Sequence, residues 1–195
     1  MWTESTKNPL KPRNSPSAKV EALLRNIRDK HTSFGSGAQP AKAVIFSQWT
    51  KMLDLVGDAF RANGLKFQRI DGQLSLHQRK AALESFGNDL ECNIMLASIG
   101  AAGEGIDLTA ANSVHIMEPH WNPMAEAQAI DRVHRFGQLR EVEVVRYIVN
   151  ESIEHYVQEI QRQKLRVIKN TLSPSEERSE KINTERWKIL CQYLD

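Results

Sequence analysis

The stretch of sequence that decides the fold reads Gln128-Ala129-Ile130-Asp131-Arg132-Val133-His134-Arg135-Phe136-Gly137-Gln138. It places two arginines one helical turn apart, close to a glutamine and an aspartate. Ahead of it, Asn122 is a good N-cap and Pro123 suits the first helical position, while Gly137 suits the position just past a helix end. These signals predict one helix that runs from Pro123 to the residue before Gly137.

The predicted helix has two distinct faces. At about 100° per residue, one face carries the polar residues Gln128, Asp131, Arg132 and Arg135. The opposite face carries residues suited to packing on a sheet, namely Ala129, Ile130, Val133 and Phe136. Because two fixed guanidinium groups suit phosphate charge, the polar face is interpreted as directed at a ligand. A solvated face on an ordinary amphipathic helix is the alternative.

The stretch resembles the last helicase motif of the SWI/SNF-related ATPases of helicase superfamily 2, written Q-A-x-D-R-x-H-R-x-G-Q, at every fixed position. The resemblance runs from about residue 17 to about residue 168 and is closest to the fungal DNA-repair and helicase-like transcription factor group. In that family both arginines reach across a cleft to ATP bound on a different lobe. The resemblance implies that Arg132 and Arg135 are catalytic arginine fingers, and that Gln128 and Asp131 help to position the nucleotide.

Two further segments resemble family motifs that lie near nucleic acid. Phe46-Ser47-Gln48-Trp49-Thr50 resembles the strand-end motif that opens the second lobe, and Arg69-Ile70-Asp71-Gly72, followed by Arg79, resembles the next block. The resemblance implies DNA-backbone contacts from Ser47, Gln48, Thr50, Arg79 and Ser98. The alternatives are a polar N-cap beside a packed Trp49 and, for Arg79, a solvated helix surface.

The glycine-rich loop reads Ser98-Ile99-Gly100-Ala101-Ala102-Gly103-Glu104-Gly105-Ile106-Asp107-Leu108. It is no Walker A loop, because Gly-Lys-Ser/Thr occurs nowhere in the chain, and its glycine spacing is wrong for a dinucleotide fingerprint. It resembles the family's fifth motif, which implies nucleotide contacts from Gly103, Gly105 and Asp107. The sequence departs from the family pattern at Ala102, Glu104 and Asp107. Two extra carboxylates near phosphate are unfavourable unless they point away or meet a cation.

Composition narrows the class of protein. The chain has 195 residues and a formal charge of +2, so one domain is expected, and nucleic-acid binding has to come from local patches. Cys92 and Cys191 lie far apart with no metal-ligand spacing, so no metal site is expected. No apolar run reaches transmembrane length, so no membrane association is expected. The resemblance implies a nuclear protein.

Strand and helix patterns alternate along the chain. The expected strands cover 42–46, 65–70, 93–97, 113–117 and 142–149, and further helices are expected to begin at Ser17 and to cover 52–62, 75–86 and 152–168. Such alternation predicts an α/β fold with a mainly parallel sheet. The resemblance makes it a RecA-like three-layer fold in which the last helix is brace-like. The expected domains are a flexible lead-in at 1–16, the lobe at 17–170 and a charged tail at 171–195, with a short helix possible in the tail.

The resemblance covers the second of two lobes. Superfamily 2 motors hold ATP with Mg²⁺ between two RecA-like lobes, and the first lobe supplies the phosphate loop and an Asp-Glu pair, neither of which occurs in this sequence. The implied partners are therefore a first lobe in cis or trans, double-stranded DNA and, as a further candidate, nucleosomes. This chain alone is expected to be inactive. A non-catalytic module that binds DNA or a partner is the alternative, and an RNA helicase is a weaker third interpretation.

Overall fold

The computed structural model describes residues 17–32, 41–103 and 105–171. The predicted lead-in at 1–16, the tail after Thr171 and Glu104 lie outside these residues. The helices of the described part are α1 (Ala18–Thr32), α2 (Thr50–Ala62), α3 (Leu76–Asn88), α4 (Ile99–Ala102), α5 (Pro123–Ile130) and α6 (Ile153–Thr171). The strands are β1 (Ala43–Ser47), β2 (Phe67–Ile70), β3 (Ile94–Ser98), β4 (Ser113–Ile116) and β5 (Glu143–Arg146). None of the described helices is long and apolar enough to cross a bilayer.

The strands form one five-stranded sheet in the order β2-β3-β1-β4-β5, and every neighbouring pair is parallel. In the centre, Ala43 is in register with Ile94 on one side and with Ser113 on the other. All strands therefore end at the same side, which we call the carboxyl edge: the residues that follow each strand lie there. The residues that precede the strands form the amino edge. The predicted parallel sheet is confirmed.

Helices cover both faces of this sheet. On one face α1 and α2 pack their apolar stripes against strand residues, and Leu53, Phe60 and Ile45 are fully buried there. On the other face, α3, α4 and α5 contribute to a second cluster that includes Phe86 and Ala129. Strands buried on both faces are typical of parallel sheets, and β1 and β3 are buried at every position. The result is a three-layer α/β fold.

The helix that carries the deciding stretch ends earlier than predicted. Asn122 and Pro123 start α5 as expected, and the Asn122 side chain accepts a hydrogen bond from Met124 N at 3.1 Å. However, α5 stops at Ile130 and the chain continues in tight turns. The carbonyl of Arg132 accepts a hydrogen bond from Leu108 N at 3.0 Å, so a tertiary contact replaces the next helical turn. The prediction of one helix up to Gly137 is therefore wrong.

Phe136 shows a second consequence of this early helix end. It was predicted on the face that packs on the sheet, but it is fully exposed, with a relative exposure of 104%. Ala129 and Val133 from the same predicted face are buried.

The glycine-rich loop is not entirely a loop, because its residues Ile99–Ala102 form the short helix α4, capped by Ser98.

Candidate functional site

Arg132 joins the deciding stretch to the glycine-rich loop. Its side chain is half-buried, and Nε donates a hydrogen bond to the carbonyl of Ala102 at 2.8 Å. Its backbone carbonyl accepts from Leu108 N, as described above. The structure thus brings together two segments that sequence reasoning assigned separately to the nucleotide. Arg132 is held against the loop at both its backbone and its guanidinium group.

Arg135 lies in an exposed turn, residues 131–138, which we call the arginine turn. The turn closes where Gln138 N donates to the carbonyl of Arg135 at 2.9 Å. Gly137 within it has a φ of +99°, a conformation that side chains rarely adopt, so glycine is required at this position. The Arg135 side chain is exposed, as are Gln128 and Asp131 at the end of α5. These polar side chains are therefore accessible to a ligand, although the helix face predicted for them does not exist.

Gln138 fastens the arginine turn to the residues that lead into β4. Its Nε2 donates to the carbonyls of Thr109 at 3.0 Å and Ala111 at 2.7 Å, and a longer contact of 3.3 Å reaches Val133 O. Its Oε1 accepts from Arg140 N at 3.0 Å. The Arg140 side chain also donates to the carbonyl of Ala110. Sequence reasoning placed Gln138 in the motif but gave it no role.

Asp107 adds a negative charge to the same site. The side chain is exposed, and Oδ1 accepts hydrogen bonds from Thr109 N at 2.9 Å and Thr109 Oγ1 at 2.7 Å. These bonds, with a smaller contribution from the charge of Arg135, lower the pKa of Asp107. The carboxylate is thus ionised and is electrostatically attracted to Arg135. Glu104, the other extra carboxylate, lies outside the described residues.

The glycines of the loop lie on its surface. Gly103 and Gly105 are both exposed, and Gly105 has a φ of +77°. A Cβ on Gly103 would lie 3.2 Å from the carbonyl oxygen of Gly100, so a side chain there would crowd the end of α4. Both glycines leave backbone accessible beside Arg132. This surface is suited to close approach by a polar ligand.

The residues predicted at DNA lie in two different environments. Gln48 is half-buried and Thr50 is exposed, so both reach the surface at the carboxyl edge. Arg79 is half-buried and its Nε donates to Leu74 O at 3.1 Å. In contrast, Ser98 is buried, and its hydroxyl accepts from Ala101 N at 3.2 Å.

Ser47 is the predicted DNA contact that lies deepest. It is fully buried, and its hydroxyl lies 2.9 Å and 3.1 Å from the two carboxylate oxygens of Glu118. The hydroxyl also accepts a hydrogen bond from Trp49 N at 3.0 Å. Ser47 therefore stabilises the end of β1. For its hydroxyl to contact DNA directly, the hydroxyl would have to give up its hydrogen bond to Glu118.

Glu118 is a buried carboxyl at the junction between β1 and β4, with a relative exposure of 7%. Burial raises the pKa of Glu118, while the Ser47 hydroxyl and the charge of Lys19 act in the opposite direction. Lys19 comes from α1, and its ammonium donates to the carbonyl of Met117 at 2.6 Å and to Glu154. This polar cluster ties the first and last helices to the carboxyl edge. Sequence reasoning missed it, because single charged residues far apart in the chain give no pattern.

Glu126 is a second buried carboxylate, and it fixes the start of α5. Its Oε1 accepts from His120 N at 2.7 Å and from Gln161 Nε2 at 2.5 Å, and its Oε2 accepts from Arg146 Nε at 3.2 Å. The brace-like helix α6 is thereby linked to the helix that leads into the arginine turn. Trp121, which lies just before α5, contacts the ring of Tyr156 on α6 edge-on, at 6.1 Å between ring centroids.

Residues 18–137 match the family model for the helicase conserved C-terminal domain. The chain belongs to this family. The match contains the glycine-rich loop and nearly all of the arginine turn, the two segments that Arg132 joins. The predicted family is thereby confirmed.

The relatives of this helicase C-terminal domain include DNA-repair proteins. The chain is 41% identical over 178 residues to the DNA repair protein rad8 of Schizosaccharomyces pombe, covering 91% of this chain and 15% of that protein. It is 42% identical over 166 residues to the DNA repair protein RAD5B of Arabidopsis thaliana, covering 85% of this chain and 13% of that protein. The ATP-dependent helicase rhp16 of S. pombe is 34% identical over 177 residues, covering 89% of this chain and 20% of that protein. The chain thus spans a small part of the length of these relatives.

A solved structure shows the same fold. The crystal structure of the C-terminal part of the Fun30 ATPase domain matches this helicase C-terminal domain with a TM-score of 0.69 and 31% identity, covering 73% of this chain and 44% of that one. The predicted RecA-like α/β fold is therefore confirmed. Among the residues that the structure describes, no three His, Cys, Asp or Glu side chains are grouped closely enough to hold a metal ion.

Proposed function

We propose that this domain is the second lobe of an ATP-dependent, duplex-DNA-translocating ATPase of the DNA-repair and chromatin-remodelling group. In this proposal Arg132 and Arg135 stabilise the negative charge that develops on the transferring phosphoryl group. The observation that carries the proposal is the hydrogen bond that attaches Arg132 to the glycine-rich loop, while Arg135, three residues later, is exposed.

The contacts of Arg132 suit a role at phosphate. One guanidinium N–H, at Nε, is used for the Ala102 carbonyl at 2.8 Å. The two terminal nitrogens carry the other four N–H groups of an arginine and can donate to a planar anionic group. Holding the guanidinium at one point reduces the side-chain entropy that ligand binding removes. Gln128, Asp131, Gly103 and Gly105 are all exposed, and we propose that they complete the nucleotide surface.

The remaining parts of the proposal concern the partners. ATP with Mg²⁺ would be held mainly by a first RecA-like lobe in cis or trans, and the role of this chain is to present arginines to it. Gln48, Thr50 and Arg79 are proposed to contact the backbone of duplex DNA, with nucleosomes as a further substrate. The DNA-repair relatives support a nuclear protein.

The test is ATP turnover in a chain that fuses this domain to the first lobe of a relative. The domain alone is expected to be nearly inactive, and the fusion is expected to hydrolyse ATP faster with duplex DNA. Arg135→Ala in the fusion should lower kcat by about 10³-fold or more, the usual contribution of an arginine finger.

The matched control for this test is Arg61→Ala. Arg61 is also exposed, but it lies at the end of α2 by the amino edge and pairs with Asp58. It should leave turnover unchanged. If Arg135→Ala turns over as fast as Arg61→Ala, the arginine-finger role is wrong.

A non-catalytic module that binds DNA or a partner ATPase is the second candidate. The carboxylate of Asp107 favours it, because a negative charge near Arg135 opposes binding of phosphate at the same place. DNA binding measured over a range of salt concentrations reports the number of phosphates contacted. A fusion that binds DNA with a steep salt dependence but never hydrolyses ATP would favour this candidate over the first.

A further inference from the structure

We infer that Gln138 is the positioning residue of the arginine site: its side-chain amide sets the distance between the arginine turn and the 109–111 segment, and thereby the direction in which Arg135 points. The inference rests on the proposed function of Arg135. It adds a residue that touches no nucleotide and acts through another side chain.

The first support is the number of backbone groups that one amide joins. Gln138 Nε2 donates to Thr109 O at 3.0 Å and to Ala111 O at 2.7 Å, which uses both of its N–H groups. The longer contact with Val133 O, at 3.3 Å, comes from the arginine turn itself. Since three carbonyls surround the nitrogen and Arg140 N donates to the oxygen, the orientation of the amide is fixed.

The second support is that apolar packing does not hold this part of the turn. Phe136 and Leu139, on either side of Gly137 and Gln138, have relative exposures of 104% and 97%. Their side chains therefore contribute no burial to hold the turn in place. The polar bonds of Gln138 and Arg140 remain as its side-chain anchors on this side. Losing the Gln138 amide would leave the Arg140 side chain as the described anchor on this side, so the turn could shift relative to residues 109–111.

The third support is the short path from Gln138 to Arg135. The backbone N–H of Gln138 donates to the carbonyl of Arg135 at 2.9 Å, so the two residues are ends of one turn. On the other side of the amide, Thr109 donates its N–H and hydroxyl to Asp107. Asp107 in turn lies close enough to Arg135 for their charges to interact. The amide thus holds Thr109, which bonds Asp107, while the N–H of the same residue bonds the carbonyl of Arg135.

A small displacement of Arg135 is expected to affect catalysis more than ATP binding. Positioning on the scale of 1 Å changes the rate of a reaction by about 10²-fold when the displaced group acts in the transition state. Ground-state affinity for ATP depends mainly on the first lobe in the proposed arrangement. Loss of Gln138 should therefore lower kcat and leave KM for ATP nearly unchanged.

The experiment uses the two-lobe fusion with duplex DNA and ATP·Mg²⁺. Gln138→Met keeps the length of the side chain and removes the amide; it is expected to lower kcat by about 10²-fold, with KM within about twofold of the parent. Gln138→Asn keeps an amide that is one carbon shorter and should fall between the parent and Gln138→Met. If Gln138→Met proves unstable, Gln138→Asn carries the same test.

The control is Gln68→Met, which removes another half-buried amide, bonded to Ser85 Oγ at 3.0 Å away from this site. It should leave kcat unchanged. A double variant then separates positioning from general stability. If Gln138 acts through Arg135, Gln138→Met should cause no further loss in an Arg135→Ala background.

The outcomes distinguish this inference from the function on which it rests. If Arg135→Ala keeps normal turnover, the proposed function and this inference both fail. If Arg135→Ala loses turnover but Gln138→Met and Gln138→Asn behave like Gln68→Met, only the positioning role fails. A loss of the same size with and without Arg135 would also overturn it, because that result describes a structural residue.

Discussion

Lys42 and Arg132 are two cations that both lie against backbone carbonyls, and the fold uses them differently. At the amino edge, Lys42 has a relative exposure of only 7%, and its ammonium donates to the carbonyls of Phe86, Gly87 (3.3 Å) and Asp89 (2.9 Å). These carbonyls belong to the end of α3, where a cation is favourable. Burial lowers the pKa of Lys42, opposed by nearby negative charge. All three of its donors have protein partners.

Beside the glycine-rich loop, Arg132 uses one N–H for the Ala102 carbonyl, and Arg135 lies in the exposed arginine turn. The number of N–H donors already bonded to the protein therefore distinguishes a structural cation from one that can bind a ligand. When every donor ends on a carbonyl, the charge stabilises the fold. When a single bond orients the group, the other donors are available for a ligand. Substitution of Lys42 should therefore lower stability and leave turnover unchanged, whereas substitution of Arg132 should lower turnover and change stability little.

Arg132→Lys is expected to have the largest effect, on turnover. In the two-lobe fusion it should lower kcat by about 10³-fold, because an ammonium cannot bond Ala102 O and also present a planar fork to phosphate. Thermal unfolding should change little, since the residue is half-buried and its side chain makes one hydrogen bond to the described residues. The measurement is steady-state ATP hydrolysis with saturating duplex DNA. Turnover within about tenfold of the parent would place Arg132 with the structural cations.

Lys42→Met should have the next largest effect, and on stability. Three carbonyls at the end of α3 would lose their buried donor, so the free energy of unfolding should fall by about 2–3 kcal/mol. Urea denaturation of the 195-residue chain measures this. The turnover of the folded fusion should stay at the parental value. A variant with full stability and reduced turnover would show that the amino edge takes part in the chemistry.

Glu118→Gln should have the smallest effect, on the pH dependence of stability, because it replaces a buried carboxyl at the carboxyl edge by an amide. Because burial raises the pKa of Glu118 in the folded state, the parent gains stability as the pH falls through that pKa towards the unfolded value. The amide cannot take up this proton. The free energy of unfolding of the variant minus that of the parent should therefore decrease as the pH falls, by about 1.4 kcal/mol for each unit of the pKa difference.

Urea denaturation between about pH 7 and pH 4 tests this expectation. The carboxylates of other residues titrate in both proteins, so their contributions cancel in the difference. A difference that stays constant over this range would show that the environment of Glu118 does not disfavour its ionised form.

Much of the fold could be predicted from the sequence, since β1 and β3 are short, mostly apolar runs and the observed bounds of β1, β3 and β4 lie within one residue of the predicted ones. The end of α5 could not. Residues 131–136 contain no glycine or proline that would mark a helix end, and the carbonyl of Arg132 is bonded to Leu108 N instead of to a later turn of the helix. No pattern within the helix records a bond to a residue that distant in the chain. Phe136 was misplaced for the same reason.

The candidate site could also be predicted only in part. Arg132, Arg135 and the glycine-rich loop were found because their residue types and spacing match a motif. Gln138 and Glu126, which hold the arginine turn and the helix before it, and Glu118, which holds Ser47, bind partners that lie far away in the sequence or belong to the backbone. A single buried carboxylate or amide has no periodicity, so its partners become visible only in three dimensions. The neighbourhood of the arginines is therefore the part that the sequence left open.

The strand order also determines when the sheet can assemble. β3 lies between β1 and β2, so these two earlier strands share no hydrogen bonds with each other. As the chain leaves the ribosome, β1 and β2 therefore have no neighbour until Ile94–Ser98 has been made. Every later pairing is also between parallel strands, which need a long connection and form slowly. Chains that stop before residue 94 would expose the apolar β1 and the unpaired edges of β1 and β2, and such intermediates are the ones that chaperones are expected to protect.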